Sequence, residues 1–206
     1  GNDVLIAQNL LIRDSSVDSA SVPLNAEYDA NTVAAVKSFQ LAQKINDGDG
    51  IFDSITAQTL LNLHSADGVV DDGFTAKSMG YLYKFHIPVY MNRSIETIGT
   101  LYDSTNNKLL DFRVRAHGYR NDDTAEAWPD FGDGDVGVNE FTSNGATLTG
   151  LIEVDLNSPE PNPQEYGPWP VNRLVRGLKG NAEFMLNNFI RGGLLLHTGN
   201  WTTDAQ

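Results

Sequence analysis

Tyr28-Asp29-Ala30-Asn31-Thr32-Val33 and, twenty-four residues later, Phe52-Asp53-Ser54-Ile55-Thr56-Ala57 repeat one pattern. In each, an aspartate stands where a helix N-cap should be, able to accept the backbone N–H of the threonine three residues on. The aromatic ahead of the cap can pack on the fifth residue after it as a hydrophobic staple, Tyr28 on Val33 in the better case. Apolar residues then recur at helical spacing, Val33, Val36 and Phe39 in one copy, Ala57, Leu60 and Leu63 in the other. Asn46-Asp47-Gly48-Asp49-Gly50 between them is turn chemistry. Asp47 and Asp49 lack the remaining ligands of a calcium-binding EF-hand loop. Ahead of both copies, Val4 to Ile12 reads as a third short helix, patterned by Leu5, Gln8-Asn9 and Ile12. Residues 1–66 are therefore expected to form a three-helix module.

Outward from this module the character changes. Residues 67–80 are rich in Asp and Gly without sustained periodicity, and read as a linker. From Tyr81 onward the pattern is β. Phe112 to His117 alternates, with Arg113, Arg115 and His117 on one face, and Leu151 to Leu156 alternates with Glu153 and Asp155 together. Asn157 to Pro170 holds five of the eight prolines and reads as a long loop. Asn181 to Ile190 is a helix candidate stopped by Gly192-Gly193. Leu194-Leu195-Leu196 reads as a short buried strand that delivers His197. A histidine at the mouth of such a strand is placed like a general base beside a cleft. The fold class is α+β, a small helical module followed by a mixed, β-rich domain over residues 81–206.

Fourteen basic against twenty-seven acidic side chains give a net charge of −13, which opposes nucleic-acid binding through phosphate neutralisation. No apolar run reaches membrane-spanning length. The absence of cysteine removes disulfides and thiolate metal sites. The chain begins at Gly1 without an initiator methionine, as expected of a processed protein or a fragment. Asn92-Arg93-Ser94 and Asn200-Trp201-Thr202 are sequons, so Asn92 and Asn200 are candidate glycosylation acceptors in a secreted eukaryotic protein.

The capped repeat, with Ala35-Val36-Lys37-Ser38-Phe39-Gln40 and Asp49-Gly50-Ile51-Phe52-Asp53, resembles the peptidoglycan-binding domain that accompanies many cell-wall enzymes. That resemblance covers residues 3 to 64 and implies attachment to a cell-wall glycopeptide or a related glycan. Residues 81 to 206 resemble the L,D-transpeptidase catalytic domain. Thr147-Leu148-Thr149-Gly150 stands where that family has Thr-Pro-Thr-Gly. Tyr166-Gly167-Pro168 and Arg191 to Gly199 look like its later strand and histidine motif. The resemblance implies cysteine acyl transfer on stem peptides, with His197 as general base, Thr198 orienting the imidazole and Gly199 keeping the turn open. The family's nucleophile lies in a Ser-x-Gly-Cys motif downstream, for which the nine residues after His197 leave no room. A thiolate is what a neutral imidazole activates best, so the chain alone is expected to be catalytically incomplete. It becomes an enzyme only if a cysteine-bearing segment, such as its own cleaved C-terminal piece, completes the site.

Seven acidic and no basic residues lie between Asp122 and Glu140, and Asp133, Asp135 and Glu140 could hold calcium. The rival reading is a solvated acidic loop. Trp128 and Tyr119 could stack on a sugar ring or simply anchor that loop. Arg113 and Arg115 could engage a substrate carboxylate or pair with the acidic loop. The four histidines form no H-x-H or H-E-x-x-H pair, so no local zinc template exists, and no other cofactor is expected. The expected function is peptidoglycan or glycopeptide binding by a secreted, wall-associated protein. The alternatives are a lectin-like glycan binder and a structural matrix protein on the same scaffold.

Overall fold

The computed structural model describes residues 1–64, 68–90, 95–116, 140–141, 145–157, 167 and 169–197. Helices α1 (Asn2–Leu11), α2 (Ala30–Gln43) and α3 (Ser54–His64) come first. Strands β1 (Tyr83–His86), β2 (Thr97–Asp103) and β3 (Lys108–Val114) follow, then β4 (Leu151–Asp155), β5 (Asn172–Lys179), α4 (Gly180–Asn187) and β6 (Leu195–Leu196). The chain is α+β, with antiparallel sheets after an all-helical beginning. It divides into two compact units, residues 1–66 with 71–146 and residues 67–70 with 147–206.

In the first unit, Ile6, Leu10 and Leu11 of α1, Val36 and Phe39 of α2, and Ala57, Leu60 and Leu61 of α3 form the helical core. Both anticipated N-caps are present: Asp29 accepts Thr32 N at 2.8 Å and Asp53 accepts Thr56 N at 2.9 Å. Tyr28 directs its hydroxyl to Gly50 O at 2.7 Å, tying the start of α2 to the turn before α3. His64, at the end of α3, meets Asp14 just beyond α1 at 3.3 Å. Burial works against the Asp14 carboxylate, yet hydrogen bonds from Ser16 and His64 outweigh it and hold Asp14 below the ordinary carboxylate range. The segment Asn46–Gly48 is a single 3-10 turn.

The first sheet has the order β1-β2-β3, all antiparallel. Phe85 and Phe112 stack at 4.5 Å between ring centroids. They do so beside Gly99, whose missing Cβ would sit 2.8 Å from the Phe85 ring and 2.9 Å from Val114. Glycine is thus required by close approach here. Lys84 is anchored to Asp71 at 3.1 Å and to Phe74 O at 3.0 Å, and lies over the Phe74 and Tyr102 rings.

The second unit holds the sheet β4-β5-β6 and α4. Helix α4 lies so close to β5 that a Cβ on Gly177 would collide with the Ala182 backbone. Asn187 secures the approach from the far end of the helix, accepting Gly177 N at 3.1 Å and donating to Gly177 O at 2.9 Å. At the near end, Thr149 O accepts Ala182 N at 2.9 Å, and buried Asn181 donates to the Thr149 hydroxyl at 3.0 Å. The Thr-Leu-Thr-Gly segment therefore serves as the seat of α4.

Candidate functional site

The helical module is built from two equivalent cradles. In the first, the fully buried amide of Gln8 reaches Thr32 Oγ1, Asn25 Oδ1 and Glu27 O, each at 2.9 Å, and accepts Ala26 N at 3.1 Å. In the second, the fully buried amide of Gln40 reaches Thr56 Oγ1 at 3.0 Å, Asp49 Oδ1 at 3.1 Å and Ile51 O at 2.9 Å. Its oxygen accepts Gly50 N at 2.8 Å. A glutamine on one helix thus fixes the loop, and the capped threonine, of the next. Buried polar groups survive only when paired in this way. Residues 26 and 50, which answer to each other, both take left-handed backbone, with φ of 61° at Ala26 and 80° at Gly50.

This tethering leaves a defined surface. Ile51 and Ile55 are exposed on either side of the Asp53 cap, and Tyr28, held to Gly50, lies partly exposed next to them. An aromatic ring and two aliphatic side chains on a rigid turn offer a platform to the apolar face of a sugar or a peptide methyl. The cap carboxylates stay ionised beside it. Backbone N–H donation by Thr32 holds Asp29 below the usual range, and donation by Thr56 does the same for Asp53.

In the second unit, β6 pairs with the start of β5, Leu196 opposite Asn172 and Leu195 opposite Arg173, so His197 emerges exposed from a strand end. Thr198 and Gly199 lie outside the described residues, as do Trp128, Tyr119, Asp133, Asp135, Asn92 and Asn200. Glu140 is buried, at 2% exposure. Among the described residues no cluster of three metal-capable side chains exists.

Arg113 and Arg115 do share a face, and Glu96 just ahead of β2 takes both, ion-pairing with Arg113 and standing 3.7 Å from Arg115 Nε. That partner is not legible in the sequence, because it comes from the segment that leads into the neighbouring strand. The Gln8 and Gln40 cradles were missed as well. Their signal is a glutamine inside an apolar helical stripe, sixteen residues before the capped threonine in one case and twenty-four in the other.

Comparison of the chain with curated proteins and with solved structures gives no match. Residues 1–60 match the family model described as "Putative peptidoglycan binding domain". The span of that match takes in both glutamine cradles, all of α2 and the capped start of α3. The match supports a peptidoglycan-binding domain at residues 1–60.

Proposed function

We propose that this protein is a secreted, wall-associated protein that holds peptidoglycan through residues 1–60 and presents residues 81–206 to it as an L,D-transpeptidase-type domain. The observation that carries the wall-binding half is the family match over the doubly tethered helical module. The second half is supported by the resemblance of Thr147–Gly150 and Arg191–Gly199 to that family, and by the exposed position of His197 at the end of β6. In this reading His197 is the base that frees a thiolate, and Thr198 orients its ring. The 206 residues hold no cysteine, so in this reading the thiol belongs to a segment outside them. Without that segment the chain binds the wall and transfers nothing.

The test has two arms. Purified peptidoglycan sacculi should co-sediment the 206-residue protein saturably, and soluble muropeptides should release it. Protein isolated from its native source should carry a thiol labelled by iodoacetamide, on the same polypeptide or on a co-purifying one, and its cross-linking activity should disappear in His197→Ala. Failure to sediment removes the binding reading. Sedimentation with no labelled thiol removes the acyl-transfer reading and leaves binding.

A further inference from the structure

One end of the β4-β5-β6 sheet sets near His197 an exposed indole, a side chain that neither the fold nor the proposed acid–base chemistry uses. β4 and β6 flank β5 and both run antiparallel to it, so both leave the sheet at the end where β5 enters. Three chain segments meet there: Leu156-Asn157 leaving β4, Trp169-Pro170 leading into β5, and His197 leaving β6. Trp169 is 66% exposed and Leu156 59% exposed, while Val171 between Trp169 and the strand is fully buried. An indole fixed in sequence two residues from a buried anchor, yet itself largely in water, is an unusual placement for the largest apolar side chain.

Charge and polarity around it narrow the ligand. Asp155 and Arg173 stand opposite each other in register, so this end presents no cluster of one sign. The Asp155 carboxylate is occupied by Asn157 N at 2.8 Å, and Asn172 donates to Asp155 O at 2.9 Å, which braces the β4 exit against β5. Among the described residues at this end, the Asn157 side chain and the Arg173 guanidinium are exposed as well. A phosphate polymer would need a concentration of cations that is missing from the described residues here. A protein partner would need roughly 1,000 Å² of contact, far more than two apolar side chains supply. A pyranose bearing a single carboxylate matches: its C–H face stacks on an indole, its hydroxyl edge meets the Asn157 amide, and its carboxylate meets Arg173.

We propose that Trp169 is a stacking platform for the sugar backbone of peptidoglycan, a second glycan contact in the second unit. It rests on the wall-binding reading for the identity of the polymer. Residues 1–60 hold that polymer on the same chain, so even a weak second contact is populated by effective concentration. The platform sets which stretch of glycan lies beside His197.

The experiment uses the 206-residue protein and peptide-free glycan strands of alternating N-acetylglucosamine and N-acetylmuramic acid, with free stem peptide as the comparison ligand. Binding is read by calorimetry and tryptophan emission, alongside sedimentation with sacculi. Trp169→Ala should weaken glycan-strand binding about tenfold, as loss of a central aromatic anchor does. The ligand-induced emission change should go with it, while Trp169→Tyr restores most of the affinity. Thermal melts of both variants should match wild type, since the side chain is exposed.

Unchanged glycan affinity in Trp169→Ala, with sacculi still pelleting the protein, overturns the platform and leaves the 1–60 domain as the sole contact. An emission change driven by stem peptide but not by glycan also overturns it. So does a concentration-dependent dimer in wild type that Trp169→Ala abolishes, which would make a second copy the occupant. Failure of sacculi to pellet the wild type is a separate result and removes the wall-binding reading itself.

Discussion

Gln40 carries the turn before α3 through four contacts made by one amide, of which another side chain shares only that to the Thr56 hydroxyl, Asn46 at 3.4 Å. Gln40→Leu preserves volume but strands the Gly50 N–H in a buried site and takes from the Thr56 hydroxyl its shorter donor. Leaving such groups unpaired costs about 1–3 kcal/mol each, so urea unfolding should register a loss of about 3 kcal/mol. Backbone strain at single residues gives predictions of the opposite sign. Ala26 has a φ of 61° at the position where the second cradle uses Gly50. Ala26→Gly should therefore stabilise by about 1 kcal/mol. Gly50→Ala should destabilise, since its Cβ would crowd Lys37 and Val33 at 2.8 and 2.9 Å. Phe189 closes α4 with a φ of 56° and is 93% exposed, at the position where helices favour glycine. Phe189→Gly should raise the melting temperature by an amount corresponding to about 1 kcal/mol.

At the scale of elements, the β2–β3 hairpin is held by one carboxylate. Asp103 takes hydrogen bonds from the Asn107 side chain at 2.9 Å, from Thr105 N at 2.8 Å and from Asn107 N at 3.0 Å. Donation by Asn107 and Thr105 holds Asp103 down at about 2. A folded-state value below the unfolded one means the stabilisation is complete above the ordinary carboxylate range. It is lost as pH falls from about 4 towards about 2. The lowered Asp29 and Asp53 caps titrate in the same direction. The melting temperature should thus drop across that window, and Asp103→Asn should melt lower at pH 7 but show a shallower acid limb.

The contrast between caps and sheets also explains what the sequence reveals. Asp29 and Asp53 are legible because a cap is satisfied within three residues. Gln8 and Gln40 are not, because their partners lie beyond a loop. β3 begins at Lys108 rather than Phe112, since pairing with β2 draws in Lys108 and Leu110 across an irregularity at Leu109 that breaks the alternation. α4 stops at Asn187, short of Ile190, because Phe189 turns left-handed and the chain closes with Ile190 N on Met185 O at 3.0 Å. For the site, alternation puts Arg113 and Arg115 on one face, but Glu96 comes from the segment leading into a strand whose register no local pattern encodes.

For the whole molecule, electrostatics decide how binding answers to salt. The net charge is −13, and in residues 1–60 Asp and Glu outnumber Lys and Arg eight to three. Peptidoglycan stem peptides also carry carboxylates, so approach to the wall is opposed by like charge. That opposition reaches about 30 Å at 0.01 M salt and only about 8 Å at 0.15 M. If recognition rests on the apolar platform at Tyr28, Ile51 and Ile55, with hydrogen bonds around it, screening removes the repulsion and leaves the attraction intact. Sacculi should then bind the protein several-fold more tightly at 0.15 M than at 0.01 M salt, mainly through a faster association rate. Affinity that falls as salt rises would place the energy in ion pairs with Arg13, Lys37 or Lys44 instead, and would move the contact surface away from the Asp53 cap.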